Sequence, residues 1–182
     1  MAARATLRDL LTCEQSAFPA AARSFLAACG GDPNRVDRAA GDLSSLIDLP
    51  PSAVASLSAH ERDHCRRLWV LDRAPLGIVL SGPAYQDNPV VYVTRTFREL
   101  TGYSLSAVRG ENLRLLQGPD TEAAAVDALS EAVEIWAPVT VELWNYRADG
   151  SRFRNRVSLI PLPDDDGMLA NWAGLQERVE PP

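Results

Sequence analysis

The chain has 182 residues, of which 46% are hydrophobic and 23% charged, the balance of one ordinary folded domain with an extension and not of a disordered polymer. Its net charge of −6 argues against a general binder of nucleic-acid phosphates or anionic membranes. No apolar run approaches the ~18 residues of a membrane span, and the N-terminus lacks the apolar core of a signal peptide.

Residues 1–70 read as helical. Leu7, Leu10 and Leu11 begin an apolar stripe, and Phe18, Ala22, Phe25 and Leu26 continue one at helical spacing until Gly30-Gly31. Asp32-Pro33 is a helix start signal, Leu43, Leu46 and Ile47 give that helix an apolar side, and Pro50-Pro51 ends it. Ser58 and Glu61 then form a capping-box pattern that opens a helix to about Asp72. This half is neutral, with 8 Arg against 8 Asp and Glu, whereas residues 71–182 carry 10 against 16 and hold the whole acidic excess. All 18 basic residues are Arg, which we read as genome composition bias. Cys13, Cys29 and Cys65 are odd in number and at no metal-ligand spacing, as expected of reduced thiols in a cytoplasmic protein.

The pattern changes after Pro75. Short strands are expected at 78–80 and 90–93, separated by turn formers from Gly82 to Pro89. A helix follows over about 96–101, then a short turn capped by Ser104, then a helix capped by Thr121 and running to about Glu134. Strands at about 138–147, 152–162 and 168–178 close the chain, joined by hairpin turns at Asp149-Gly150 and Asp166-Gly167. This order is α+β: an antiparallel five-stranded sheet with helices gathered on one face. The division expected is a helical extension over 1–72 and a second domain over 73–182.

Six segments of that second domain carry a family pattern. Gly110-Glu111-Asn112-Leu113-Arg114-Leu115-Leu116-Gln117-Gly118 closely resembles the flavin-binding signature G-x-N-C-R-F-L-Q-G of light-oxygen-voltage (LOV) domains, a branch of the PAS family. Asp87-Asn88-Pro89-Val90-Val91-Tyr92 resembles D-N-P-I-V-Y, and Phe97-x-x-Leu100-Thr101-Gly102-Tyr103 resembles F-x-x-L-T-G-Y. Asn145-Tyr146-Arg147-Ala148-Asp149-Gly150 resembles N-Y-R-K-D-G, Phe153-Arg154-Asn155 resembles F-W-N, and Gly174-Leu175-Gln176 resembles G-V-Q. The likeness covers about residues 75–179.

The resemblance implies a flavin site. Asn112 and Gln117 would bond the ribityl chain, Arg114 would face the phosphate, Asn145 and Asn155 would pair with the polar edge of the isoalloxazine, and Gln176 would sit beside N5 and O4. Leu116, Leu143 and Leu159 are the expected apolar wall. Amide side chains suit that edge because they offer both a donor and an acceptor to a ring that alternates carbonyls and N–H. The chain departs from the pattern at three places. Leu113 replaces the cysteine that adds to the excited flavin, so that the thiol adduct cannot form. Ser130 stands where many members carry a second phosphate-binding Arg, and Ser81 and Gly82 replace a Thr and an Asp. FMN is the expected cofactor, riboflavin the alternative, and FAD less expected, because no insertion precedes Gly110.

Without the thiol, the expected function is a flavin-based blue-light and redox sensor, not an enzyme. It would signal by photoreduction to the neutral semiquinone, with N5 protonation read by Gln176. An external reductant or an aromatic side chain would supply the electron; Tyr92, Trp144 and Trp172 lie on strands near the expected pocket. Output would pass to the N-terminal helices, which would pack on the sheet, pair with a second subunit, or both, in a homodimer acting on a downstream protein. The rival reading is a light-independent PAS redox sensor or a cofactor-free interaction module. His60-Glu61-Arg62-Asp63-His64 matches H-E-x-x-H, but lacks a third ligand at a recognisable spacing and reads as a polar first turn of a helix. Asp164-Asp165-Asp166 reads as a solvated hairpin tip, not a cation site.

Overall fold

A computed structural model describes residues 2–38, 49–164 and 167–180. The chain divides into two compact units, 1–75 and 76–182.

The first unit is helical. Helices α1 (Ala2–Thr12) and α2 (Phe18–Ala28) bury Leu7, Leu10, Leu11, Ala22, Phe25 and Leu26, the residues of the apolar stripe. Gly30, with a φ of +79°, closes α2 in the left-handed region that glycine enters at least cost. Helix α3 (Arg35–Arg38) starts later than Asp32-Pro33 suggests, because the Asp32 carboxylate accepts from Asn34 N–H at 3.0 Å and holds a turn there. Leu43, Leu46 and Ile47 lie outside the described residues. Pro51 opens a helix, α4 (Pro51–Ser56), since its missing N–H costs nothing in a first turn. Helix α5 (Ala59–Val70) begins on the expected capping box: Glu61 N–H donates to Ser58 Oγ at 3.0 Å, and Ser58 N–H donates to the Glu61 carboxylate at 2.8 Å. Arg67 on α5 donates to the carbonyls of Leu10 and Cys13 at 3.0 and 2.8 Å and to Asp63 at 2.6 Å, tying α5 to the end of α1.

His64 of α5 is 1% exposed, with neither ring nitrogen hydrogen-bonded, and lies edge-on to His60 with ring centroids 4.2 Å apart. Glu61 is committed to the cap, and no group of three His, Cys, Asp or Glu side chains comes together among the described residues. Burial, and then the neighbouring His60, push the His64 imidazolium pKa down to about 4. A base whose folded pKa lies below its unfolded value of about 6.5 is protonated more readily in the unfolded chain. Stability is therefore full above pH 6.5 and falls between pH 6.5 and 4, by at most about 3 kcal/mol. Thermal melts across that window should show the loss, and His64→Leu should flatten it.

The second unit is a five-stranded antiparallel sheet in the order β2-β1-β5-β4-β3, with strands β1 (Gly77–Ser81), β2 (Val90–Val93), β3 (Val139–Tyr146), β4 (Arg152–Pro163) and β5 (Leu169–Arg178). Helices α6 (Arg95–Thr101), α7 (Leu105–Val108) and α8 (Ala123–Glu134) pack against β1, β2 and β3 respectively. The β3–β4 hairpin turns at Asp149-Gly150, where Gly150 has a φ of +80° and the Asp149 carboxylate accepts from Ser151 N–H at 2.8 Å. Of the second expected turn, Asp166 lies outside the described residues, as does Asp165 of the acidic run. Ser104 caps α7 through Ala107 N–H at 3.2 Å.

Thr121 does not cap α8. Its hydroxyl donates to the Trp144 carbonyl at 2.7 Å and accepts from Gly118 N–H at 2.9 Å. Glu122, the residue before the helix, accepts from Trp144 N–H at 2.9 Å and pairs with Arg154. Both side chains satisfy backbone groups of the edge strand β3 that no neighbouring strand reaches.

Candidate functional site

Strand register decides which side chains meet under the helices. Val157 lies opposite Gln176, Leu159 opposite Gly174, and Ser81 opposite Trp172, so these positions share a face with Leu143 and Asn145. Against that face, α8 presents Val126, Leu129, Ser130, Val133 and Glu134, and the 3₁₀ turn Leu113–Leu116 closes a third side. The result is a cavity of about 380 Å³, within the range of small-molecule and cofactor sites.

Nine of the ten expected site residues line it: Asn112, Leu113, Arg114, Leu116, Gln117, Leu143, Asn145, Leu159 and Gln176. The tenth, Asn155, shares their face of the sheet by alternation with Val157 and Leu159 and is 0% exposed. Its Nδ2 donates to Asn145 Oδ1 at 2.8 Å and to Gln176 Oε1 at 2.5 Å, so one amide on β4 holds the amides of β3 and β5. The Asn155 Oδ1 acceptor is buried with no partner. A cost of roughly 1–3 kcal/mol attaches to such a group in a closed structure, and a ligand reaching it would remove that cost.

The mouth of the cavity is organised by Asp87. Arg114 donates to both Asp87 carboxylate oxygens, each at 2.6 Å, and Asn112 Nδ2 donates to the Asp87 carbonyl at 2.6 Å. The hydrogen bond from Arg114, followed by its charge, holds the Asp87 carboxyl below its usual range. Asp87 and Asn88 both have positive φ, 66° and 48°, a conformation uncommon for residues with a Cβ, and the bonds from Arg114 and Asn112 tether Asp87 there. Asn112 also accepts from Arg114 N–H at 2.8 Å, capping the 3₁₀ turn. Asn112 is expected at a ribityl chain and Arg114 at a phosphate; in the structure both are engaged with Asp87, a partner 25 and 27 residues away that no local pattern reveals.

Of the three aromatic residues expected near the pocket, Trp172 alone lines it. Tyr92 pairs with Leu80, on the other face of the sheet from Val79 and Gly174. The Trp144 ring lies under the guanidinium groups of Arg152 and Arg154, at 4.6 and 5.8 Å. Its direction was legible, since a strand that turns Leu143 and Asn145 inward must turn Trp144 outward. Ala84, Asn88, Val157 and Glu134 also line the cavity and were not singled out as site residues; for Val157, two-residue alternation with Asn155 and Leu159 was the available signal.

Comparison with known proteins agrees with this architecture. A PAS domain profile matches residues 75–177. Blue-light-activated histidine kinase 2 of Erythrobacter litoralis (strain HTCC2594) is 37% identical over 114 residues, covering 63% of this chain and 32% of that protein. Phototropin-2 of Oryza sativa subsp. japonica is 36% identical over 115 residues, covering 61% of this chain and 13% of its own length. The chain therefore spans about a third or less of these curated relatives. Among solved structures, the LOV domain of the Erythrobacter litoralis EL346 blue-light activated histidine kinase superposes with a TM-score of 0.56 at 37% identity, covering 60% of this chain and 100% of that one. The light-state Aureochrome1 LOV structure gives a TM-score of 0.56 at 40% identity, covering 60% and 86%. With the sheet order, the cavity and these matches together, the chain belongs to the PAS domain family and, within it, to the LOV branch.

Proposed function

We propose that this chain is a flavin-binding blue-light and redox sensor that works without a cysteinyl adduct. The observation that carries the reading is the amide chain Asn145–Asn155–Gln176 on the cavity wall, with a buried acceptor left unpaired at Asn155 Oδ1. That set of donors and acceptors fits the edge of an isoalloxazine. A bound flavin would supply visible-light absorption and one-electron redox chemistry with proton uptake at N5.

The side chains would divide the work. Leu113, Leu116, Leu143 and Leu159 exclude water from the ring, and Gln117 reaches the ribityl chain. Gln176 reads N5. Its Oε1 accepts from Asn155, so its N–H₂ is the end available to an unprotonated N5. Protonation of N5 calls for the carbonyl instead. The turned amide would then set its N–H₂ against Asn155 Nδ2, donor against donor, and Asn155 must turn in response and release Asn145. One to two hydrogen bonds of about 0.5–1.5 kcal/mol each change hands, enough for a several-fold shift between two states. We propose the helical unit 1–75 as the output element, acting through a homodimer and a downstream protein. Deleting residues 1–60 should leave flavin binding intact and abolish light-dependent change in association.

The ligand we propose is FMN, with riboflavin as the variant that needs no phosphate contact. FMN must take Arg114 from Asp87, since Ser130, on the same wall, donates its hydroxyl to the Val126 carbonyl at 3.1 Å. Asp87→Asn should therefore improve FMN affinity relative to riboflavin by about tenfold, the equivalent of about 1.4 kcal/mol. Titration of the purified chain with each flavin, followed by flavin fluorescence, tests both points; failure of both ligands to bind would sink the reading.

No helix among the described residues is long and apolar enough to cross a membrane.

A further inference from the structure

Trp172 has two properties that no other aromatic residue named above combines. It lines the cavity and is 1% exposed, and its Nε1–H is buried without a hydrogen-bond partner. Indole N–H groups usually find a partner when buried, so an orphaned one on a cavity-lining residue is an exception. Trp144 is the counter-example on the same sheet. Its ring sits under two guanidinium groups, which stabilise the neutral ring through its quadrupole and oppose any positive charge developing on it. Tyr92 is turned to the other face.

We infer that Trp172 is the resident electron donor to the photoexcited flavin, which rests on the flavin reading above. Trp172 gives up one electron to the excited ring, and its Nε1 proton follows to N5. The N–H bond of the indole breaks, one N–H bond forms on the ligand, and electrons and protons balance within the pair. Moving the proton with the electron leaves no separated charge, which a water-poor cavity would otherwise penalise heavily. An Nε1–H with no protein acceptor is free to make that transfer; one donated to a carbonyl would be held back. The return transfer in the dark restores both partners, so the chain can cycle without an added reductant.

The test uses the full chain loaded with flavin. In Trp172→Phe, the bound-flavin fluorescence lifetime should lengthen severalfold, and bleaching of the flavin bands in light without added reductant should disappear. A variant replacing the other three tryptophans (Trp69, Trp136 and Trp144) by Phe should keep the short lifetime. If Trp172→Phe does not fold, the variant lacking the other three tryptophans, grown with indole-deuterated tryptophan so that the label sits at Trp172 alone, decides the matter: its light-induced electron paramagnetic resonance spectrum must change with the label. Bound flavin with an unchanged lifetime in Trp172→Phe, or a spectrum indifferent to the label, overturns the assignment of Trp172 alone. A chain that binds neither FMN nor riboflavin overturns the flavin reading with it.

Discussion

Leu113→Cys should convert this chain into an adduct-forming photoreceptor. Leu113 lines the cavity from the first position of the 3₁₀ turn and is half-buried. The turn is fixed at the cavity mouth, by Asn112 Oδ1 accepting from Arg114 N–H and by the clasp to Asp87, so the substitution removes apolar bulk without touching what sets the backbone. A thiol there replaces an inert side chain with a nucleophile. Mass spectrometry of the illuminated protein should then find the ligand bound covalently at position 113, which the native chain, however its flavin bands bleach, should never show. The response is all-or-none, because the native side chain has no lone pair to donate. No covalent product in a variant that binds flavin would mean that position 113 is not held against the ring.

Asn155→Ala should have the largest effect on binding and stability. The substitution deletes both hydrogen bonds from Nδ2 and leaves Asn145 Oδ1 and Gln176 Oε1 without their partner on a buried wall. Losing two partners at about 1–3 kcal/mol each, with a small cavity in place of the amide, predicts a loss of about 2–5 kcal/mol in unfolding free energy. Flavin affinity should fall by at least about tenfold, since the ring edge would meet amides that no longer hold their orientation. Denaturant unfolding and flavin titration read these separately. Asn155→Asp would keep the shape but turn two donors into acceptors against two carbonyls, and should bind no better. Wild-type affinity in Asn155→Ala would remove Asn155 from the account.

The fold was legible where local chemistry decides it. The capping box at Ser58 and Glu61, the cap at Ser104 and the Asp149-Gly150 turn are each set by residues within three positions of one another, and each stands as expected. The site was legible as a set of amides and leucines because their spacing alternates on strands. Three features escaped. Thr121 has the chemistry of a helix cap, but an edge-strand carbonyl 23 residues on claims its hydroxyl. Asp87 carries no local sign that it will bind Arg114 across 27 residues. Asn155 carries no local sign that both of its amide protons will be spent on Asn145 and Gln176, 10 and 21 residues away. In each case a tertiary partner overrode what the local sequence favours.

A LOV-type cavity lacking its thiol should still answer light through N5. The most direct test is the absorption spectrum of the flavin-loaded native chain under blue light, without oxygen and with a mild reductant. The oxidised flavin bands should bleach, an unpaired-electron signal should appear, and no ligand should become covalently attached. Oxidised flavin unchanged by illumination would contradict this.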